Sequence, residues 1–234
     1  MVLSSSSLIF VIDFDKTIST NDVVVELMEL YGDPGWQEVE DKVETGEITL
    51  RECMEWELNS IEITKQDYVR SIGEILQLDI GAKSLFTWIG LNKYPVHIIS
   101  DSLTGIIEYA MEVKKLGVGL DYKIDAHSII WTKHETISHI HFSNEPCIHN
   151  CANCKVSKVI ALKKLNPNST FIYIGDGFTD ILAAHEADRI YARKDMFLAD
   201  KLVEANIAHH VFLNLYGVLN DLKAKYGEKY ISDE

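Results

Sequence analysis

The feature that most constrains this sequence is an apolar run near the N-terminus that leads directly into two acids. Residues 8–12 read Leu-Ile-Phe-Val-Ile, and Asp13, Phe14 and Asp15 follow them. Such a run predicts a buried strand. Side chains at i and i+2 of an extended chain point to the same side. The two carboxylates are therefore placed to share a cation, or to divide the roles of nucleophile and proton donor. The alternative is that Asp13 or Asp15 caps a helix.

Composition limits the kinds of partner. The chain has 234 residues and a formal net charge of -14, from 36 acids against 22 Lys and Arg. This balance argues against a nucleic acid or an anionic membrane as partner, because both attract basic surfaces. The sequence contains no apolar run of the roughly 20 residues that a membrane-spanning helix needs, and its N-terminus lacks the basic region of a secretory signal. Four Cys, three of them crowded together, favour a reducing cytoplasm over a disulfide framework.

Helical patterns without a strand occupy residues 19–81. A helix is predicted from Val23 with Asn21 or Asp22 as its N-cap, a second over residues 36–44, a third that opens with the capping-box pattern at Thr49, and a fourth with Thr64 as its cap. We interpret this stretch as a helical-bundle cap domain, residues 19–81. It is inserted into a core made of residues 1–18 and 82–234.

The core itself alternates between strands and helices. Residues 94–99 and 170–174 predict further strands, and helices are predicted over 103–116 and 156–165. Residues 125–142 alternate like an antiparallel hairpin. Alternating strands and helices are typical of an α/β fold, with a doubly wound parallel sheet covered on both faces.

Three of the predicted strands lead into polar residues. The carboxyl ends of parallel strands meet at one edge of a sheet, so these residues should surround one small ligand. Clustered carboxylates are the ligands that magnesium prefers, and an Asp can attack a phosphoryl group to form an aspartyl-phosphate. Charge neutralisation and positioning must provide most of the rate of such a reaction. The sequence therefore predicts a site with Asp13 as nucleophile, Asp15 as acid and base, Thr17, Ser100 and a Lys on the phosphate, and Asp176 on the metal with Asp180 in support.

These residues carry a resemblance to a known family. The runs Asp-Phe-Asp-Lys-Thr at 13–17 and Gly-Asp-Gly-Phe-Thr-Asp at 175–180, with Ser100 and a Lys before a helix, resemble the four motifs of haloacid-dehalogenase-superfamily phosphatases. The helical insert is similar to the cap of the phosphoserine-phosphatase-like branch. The resemblance implies a Rossmann-like core, one Mg²⁺ per chain held by Asp13, Asp15, Asp176 and Asp180, and hydrolysis through an aspartyl-phosphate.

Two groups within that branch compete for the substrate. The run at 13–22, the Pro-Gly-Trp at 34–36 and the Cys-rich run before Lys155 resemble the methionine-salvage phosphatases, which act on 2-hydroxy-3-keto-5-methylthiopentenyl-1-phosphate. The run Ile-Ile-Ser-Asp-Ser-Leu-Thr at 98–104 is closer to the phosphocholine, phosphoethanolamine and pyridoxal-phosphate phosphatases, and phosphoserine is a further alternative. We rank the first group ahead because its similarity extends into the cap. Asp101 is a further candidate for binding the substrate.

Two assignments leave alternatives open. Lys155 and Lys158 lie three residues apart at the start of one predicted helix, and both face the same way. We choose Lys155 for the phosphate because the Cys-Lys pair at 154 and 155 resembles the family pattern. The thiols Cys147, Cys151 and Cys154 have the density of a zinc site but not the spacing of a paired one, so Zn²⁺ is not favoured.

The sequence thus predicts a cytoplasmic, magnesium-dependent phosphomonoesterase that acts on a small phosphate ester. A regulatory protein that binds a phosphorylated metabolite without hydrolysing it is the alternative from another class. The sequence leaves the oligomeric state, monomer or homodimer, undetermined.

Overall fold

The computed structural model describes residues 7–143 and 151–227. Within them, seven strands form one sheet: β1 (Leu8–Ile12), β2 (Val96–Leu103), β3 (Tyr122–Trp131), β4 (Ile137–His141), β5 (Thr170–Gly175), β6 (Arg189–Arg193) and β7 (His210–Phe212). Their order is β4-β3-β2-β1-β5-β6-β7. All neighbours are parallel except β3 and β4, which are antiparallel. This is the predicted α/β architecture.

Strand β1 lies at the centre of the sheet, and all five of its residues are buried. Its side chains alternate between two cores: Phe10 and Ile12 pack in the larger core, and Ile9 and Val11 pack in the smaller one. A strand covered on both faces has no polar side, which explains the continuous apolar run in the sequence.

Ten helices accompany the sheet in the described residues: α1 (Val23–Tyr31), α2 (Trp36–Glu44), α3 (Leu50–Ser60), α4 (Lys65–Ile75), α5 (Ala82–Leu91), α6 (Thr104–Glu108), α7 (Lys155–Leu165), α8 (Ile181–His185), α9 (Phe197–Glu204) and α10 (Leu215–Tyr226). Helices α5 and α10 contribute Trp88 and Leu219 to the larger core. Helices α7 and α9 contribute Val159 and Leu202 to the smaller core on the opposite face. The sheet is therefore covered by helices on both sides.

Helices α1 to α4 lie between β1 and α5 in the sequence, as predicted for the cap. Their N-termini confirm the predicted caps. Asp22 accepts a hydrogen bond from Val25 N–H, and Thr49 forms a capping box with Glu52. Thr64 caps α4 in the same way. The division of the chain into a core and a cap at residues 18/19 and 81/82 stays a prediction.

The two chain segments that connect these four helices to the sheet run side by side. Ser19 and Leu78 form an antiparallel bridge, and Thr20 N–H donates to the Gln77 carbonyl at 2.8 Å. The segment 19–20 and the segment 77–78 are called the hinge below. Because they are hydrogen-bonded to each other, the insert enters and leaves the core at one place.

The hairpin of β3 and β4 confirms the antiparallel pattern predicted for residues 125–142. It also reaches the cap helices. Lys65 N–H donates to the Glu135 carbonyl at 2.8 Å, and the rings of Tyr68 and Trp131 lie 5.5 Å apart. The hairpin therefore connects the edge of the sheet to the N-terminal end of α4.

The structure differs from the sequence predictions around β2 and α5. Strand β2 continues to Leu103, with an irregularity in its pairing to β3 between Ile99 and Leu103. The helix predicted over 103–116 is shorter: α6 passes into a π-helical turn at Tyr109–Val113. No helix was predicted at α5. Its N-cap residue, Gly81, has no side chain to cap the helix, so the usual start signal is missing.

The described helices include none with the length and apolar character needed to cross a membrane.

Candidate active site

Three carboxylates converge at the carboxyl edge of the sheet. Asp13 follows β1, Asp176 follows β5, and Asp180 ends a 3₁₀ turn at Phe178–Asp180. One oxygen of each lies within 4.8 Å of the others, and all three residues are buried. Buried like charges at this spacing repel unless a cation or a proton intervenes. Oxygen donors are what a hard divalent cation such as Mg²⁺ binds, so the donor set fits that ion.

Lys155 is the cation that the structure itself supplies. Its Nζ lies 2.9 Å from Asp13 Oδ1 and 2.7 Å from Asp180 Oδ1, and the side chain is 1% exposed. Burial lowers the pKa of Lys155, but the carboxylates of Asp13, Asp180 and Asp101 outweigh it and raise the pKa above its usual range. Burial, with Asp180 next in weight, raises the pKa of Asp13 well above its ordinary value, and Lys155 opposes that rise. The ammonium group is therefore fixed in its charged form beside Asp13.

Asp180 holds this part of the site together. Its Oδ1 accepts hydrogen bonds from Lys155 and from the Tyr173 hydroxyl, each at 2.7 Å. Its Oδ2 accepts the backbone N–H groups of Asp176 and Gly177, each at 2.9 Å. A side chain at Gly175 would place its Cβ 2.4 Å from that oxygen. Because both oxygens of Asp180 are occupied, the carboxylate positions Lys155 and the Asp176 loop.

Asp176 is joined to the first motif by Thr17. The Thr17 hydroxyl donates to Asp176 Oδ1 at 2.9 Å. Burial and then Asp180 raise the pKa of Asp176 to about 7. The turn that carries Thr17 is held from outside the motifs, because Arg193 Nη2 donates to the Thr17 carbonyl at 2.9 Å. No local pattern in the sequence pointed to Arg193.

Asp15 lines the same cavity as Asp13 and Asp176 and also contacts the insert. Its Oδ1 accepts the backbone N–H of Val23, the first residue of α1, at 2.8 Å. Burial and then Asp22 raise the pKa of Asp15 to about 7. A carboxyl with a pKa near neutrality can both give and take a proton at physiological pH.

Ser100 and Asp101 lie in the irregular part of β2, both lining the same cavity. They are tied to the loop before α7 by Asn153, whose backbone N–H donates to Asp101 Oδ1 and whose side chain donates to the Ser100 carbonyl, each at 2.8 Å. Burial would raise the pKa of Asp101, but the neighbouring His127 and Lys155 hold it below the usual range. Sequence reasoning missed Asn153. Its place two residues before Lys155 was the available signal.

Lys158, the alternative to Lys155, does not contact the three clustered aspartates. Its Nζ donates to Asp125 Oδ1 at 2.5 Å and to Ser143 Oγ at 3.0 Å, and it also bonds Asn153 Oδ1. The structure therefore brings Lys155, and not Lys158, to the carboxylates. The role of Lys155 on phosphate stays a prediction.

A cavity of about 250 Å³ opens above these groups, between the sheet edge and the insert. Its floor includes Asp13, Asp15, Ser100, Asp101, Lys155 and Asp176. The insert contributes three acids and four apolar residues: Asp22, Glu40, Glu57, Val24, Val25, Leu50 and Met54. The sequence predicted the floor, but not which residues of the insert face it.

Of the three clustered thiols, Cys147 lies outside the described residues. Cys151 and Cys154 form no disulfide with another described cysteine, and the group of potential metal ligands found in the described residues contains only the three aspartates. The zinc alternative stays open.

No family model matches the chain. Among curated proteins, the 2-hydroxy-3-keto-5-methylthiopentenyl-1-phosphate phosphatase of Bacillus mycoides (strain KBAB4) is 27% identical over 218 residues, which cover 90% of this chain and 94% of that protein. A substrate-bound phosphoserine phosphatase superposes with a TM-score of 0.70 at 16% identity, over 94% of this chain and 99% of that one. A HAD-family hydrolase from Salmonella enterica serovar Typhi superposes with a TM-score of 0.70 at 16% sequence identity, over 92% of this chain and 70% of that one. At these identities the solved structures show that the fold is shared.

The structure places buried carboxylates after two central strands of a doubly wound sheet, and the phosphatase relative aligns over nearly its full length. Over nearly its whole length the chain is thus similar in sequence to a named phosphatase and shares its fold with solved phosphoserine phosphatases.

Proposed function

We propose that the chain is a magnesium-dependent phosphomonoesterase that works through an aspartyl-phosphate on Asp13. The observation that carries the proposal is the charged Lys155 beside the Asp13 carboxylate, with Asp176 and Asp180 around it. One Mg²⁺ per chain, held by Asp13 and Asp176 with Asp15 and Asp180 in support, would neutralise phosphate charge.

In the first step, a carboxylate oxygen of Asp13 attacks phosphorus, and the bond from phosphorus to the leaving oxygen breaks. Asp15, whose pKa lies at about 7, gives its proton to that oxygen. In the second step, Asp15 takes a proton from water, the water oxygen attacks phosphorus, and the Asp13–phosphorus bond breaks to release phosphate. Lys155, Thr17 and Ser100 hold phosphate oxygens, and Asp101 assists substrate binding.

The insert, residues 19–81, would act as a cap that closes over the substrate. Closure excludes bulk water and lets cap residues choose the leaving group. The hydrogen-bonded hinge at residues 19–20 and 77–78 supports this proposal, because both covalent connections between the insert and the core lie there side by side.

We propose 2-hydroxy-3-keto-5-methylthiopentenyl-1-phosphate, an intermediate of methionine salvage, as the substrate. The Bacillus relative is named as the phosphatase of this compound. The cavity also has an apolar wall that suits a methylthio tail, formed by Val24, Val25, Leu50 and Met54. Among the described lining residues the cations are Lys16 and Lys155, and each is paired with acids. A leaving group with a carboxylate, such as that of phosphoserine, would lack a free cation there.

A second candidate is an ester whose leaving group carries an amine. The acids Asp22, Glu40 and Glu57 on the cap side of the cavity favour it. These residues would attract an ammonium group, as in phosphoethanolamine or phosphocholine.

The proposal also places the enzyme in the cytoplasm, because a chain with four Cys, three of them crowded together, is more typical of a reducing compartment than of a disulfide framework.

The test is phosphate release from a panel of esters, with magnesium and with a chelator. The panel contains the methionine-salvage enol phosphate, phosphoethanolamine, phosphocholine, phosphoserine, pyridoxal phosphate and an aryl phosphate. We expect magnesium-dependent release, fastest from the enol phosphate. Fastest release from an amine ester would favour the second candidate. No release by the folded protein would favour a regulatory protein that binds a phosphorylated metabolite.

A further inference from the structure

Glu57 is a buried carboxyl on the cap side of the catalytic cavity. It lies on α3, is 6% exposed, and lines the same cavity as Asp13 and Lys155. Glu55, two residues earlier on the same helix, is exposed. A carboxyl is seldom buried without a partner, since leaving water is unfavourable for the charged form.

The described residues provide no cation for Glu57. The hydrogen bond to its carboxyl comes from the Cys53 thiol, with Sγ 3.4 Å from Oε1. The charged neighbours that act on it, Glu40 and Asp22, are acids. Burial is the main cause that raises the pKa of Glu57 to about 7, so a large part of the protein carries a neutral carboxyl at this position at neutral pH.

A neutral carboxyl has a proton to donate and an oxygen that accepts. With Cys53 on Oε1, the second oxygen is the one left to bind a ligand. Leu50 and Met54 of the same helix line the cavity beside Glu57 and are apolar, as are Val24 and Val25, whereas Asp22 and Glu40 are the other acids on this side. A polar group surrounded in this way can fix the orientation of a ligand that is otherwise held by apolar contact.

We propose that Glu57 is a specificity-determining residue whose carboxyl group hydrogen-bonds a carbonyl or hydroxyl oxygen on an uncharged leaving group. The assignment rests on the proposed phosphomonoesterase function, because it places the phosphate of the ligand at Asp13 and Lys155. Glu57 takes no part in transferring the phosphoryl group.

The experiment measures binding, so that it does not depend on turnover. In Asp13→Asn protein with Mg²⁺, titration calorimetry gives the dissociation constants of dihydroxyacetone phosphate and of n-propyl phosphate, which has the same carbon chain without the oxygens. We expect dihydroxyacetone phosphate to bind about fivefold more tightly, the value of one neutral hydrogen bond. Glu57→Leu and Glu57→Met should remove this preference. Glu57→Gln, which still offers a donor and an acceptor, should keep most of it.

Glu55→Leu is the matched control and should leave the preference unchanged. Equal binding of the two esters by the Glu57 protein, or a preference that survives in both apolar variants, would overturn the assignment. So would tighter binding of phosphoethanolamine that Glu57→Gln abolishes, since that result shows an ionised carboxylate holding an ammonium group. If these binding results hold but the unaltered chain hydrolyses no ester, the proposed function fails and the role of Glu57 as a ligand contact stands.

Discussion

Lys155 places its ammonium group 2.9 Å from the Asp13 carboxylate, in a position where the lysine side chain is 1% exposed. The same ammonium group lies 2.7 Å from Asp180. This one cation therefore neutralises part of the charge that three buried carboxylates create.

Replacing Lys155 by Met should lower turnover by at least about 10²-fold, because Asp13, the proposed nucleophile, loses its cation. It should also destabilise the fold by about 3 kcal/mol, since buried acids stay behind without their partner. Steady-state kinetics and urea unfolding measure the two effects. Lys158→Met is the control, and its activity should stay within about tenfold, because its partners are Asp125, Ser143 and Asn153. Loss of turnover in the Lys158 variant alone would reverse the assignment.

Replacing Asp13 by Asn should abolish turnover, by at least about 10³-fold, because an amide is a poor nucleophile. The protein should fold as before or become more stable, since one member of a repelling cluster loses its charge. Phosphate release and thermal unfolding test this pair of results. Asp195→Asn, at a side chain that is 81% exposed, is the control. Retained activity in Asp13→Asn would exclude Asp13 as the nucleophile.

Magnesium should stabilise the protein against heat. The oxygens of Asp13, Asp176 and Asp180 gather within 4.8 Å only in the folded chain, so the ion binds that state. At a free concentration 100 times its dissociation constant, an ion adds about 2.7 kcal/mol, which raises Tm by about 5–10 °C at this length. Scanning calorimetry with and without Mg²⁺ measures the shift. Asp176→Asn should reduce it strongly, and an undiminished shift in that variant would place the ion elsewhere.

Replacing Glu57 by Gln should stabilise the fold at high pH. The pKa of Glu57 in the folded protein is about 7, above the ordinary value of 4.5. A protonated Glu57 therefore contributes its full share to the free energy of unfolding below pH 4.5, and this contribution is lost as the pH rises from 4.5 to 7. Gln does not titrate, so the variant escapes this loss. Above pH 7 the gain should reach about 3 kcal/mol, at about 1.4 kcal/mol per pKa unit.

Urea unfolding at several pH values between 4.5 and 8 measures this difference. The groups that act on the Glu57 carboxyl are Cys53 of the same helix, Glu40 and Asp22. Glu55→Gln, on the exposed side of α3, should show no such change with pH. A difference between Glu57 and Gln that does not vary with pH would contradict the raised pKa.

Arg193 should be important for stability because it fixes the base of the hinge. Its Nη2 lies 2.9 Å from Asp79 Oδ2, and the Asp79 side chain is 2% exposed. Replacing Arg193 by Met leaves Asp79 buried without its cation and should destabilise the fold by about 3 kcal/mol. Adding Asp79→Asn should recover part of this loss, because the uncompensated charge is gone. Additive losses in a double-mutant cycle would show that the two residues do not act as a pair.

The sequence predicted those parts of the molecule that local patterns specify. Strand β1 is an apolar run because it is buried on both faces, and Asp13 follows it directly. The strand before Asp176 is also an apolar, buried run that the sequence pattern predicts directly. The capping box at Thr49 could be predicted because both of its residues, Thr49 and Glu52, lie three positions apart in the sequence. Because the strands are parallel, these local predictions were enough to bring Asp13 and Asp176 to one edge of the sheet.

Contacts between distant segments could not be predicted in this way. Arg193 reaches the Thr17 carbonyl from 176 residues away, and its own strand carries no sign of that bond. Glu57 and Glu55 are the same residue type on one helix, and only the packing of α3 decides which of them is buried. Helix α5 lacks a polar start signal because its N-cap residue is a glycine, Gly81.

The bridge between Ser19 and Leu78 has a consequence for how such a protein can change. A segment whose two ends are hydrogen-bonded to each other can be exchanged as a cassette, since any replacement needs only to begin and end at the same two neighbouring points. Recombination at the hinge would then deliver a new set of substrate contacts in one step. The residues after β1 and β5, to which we assign the proposed chemistry, would stay unchanged.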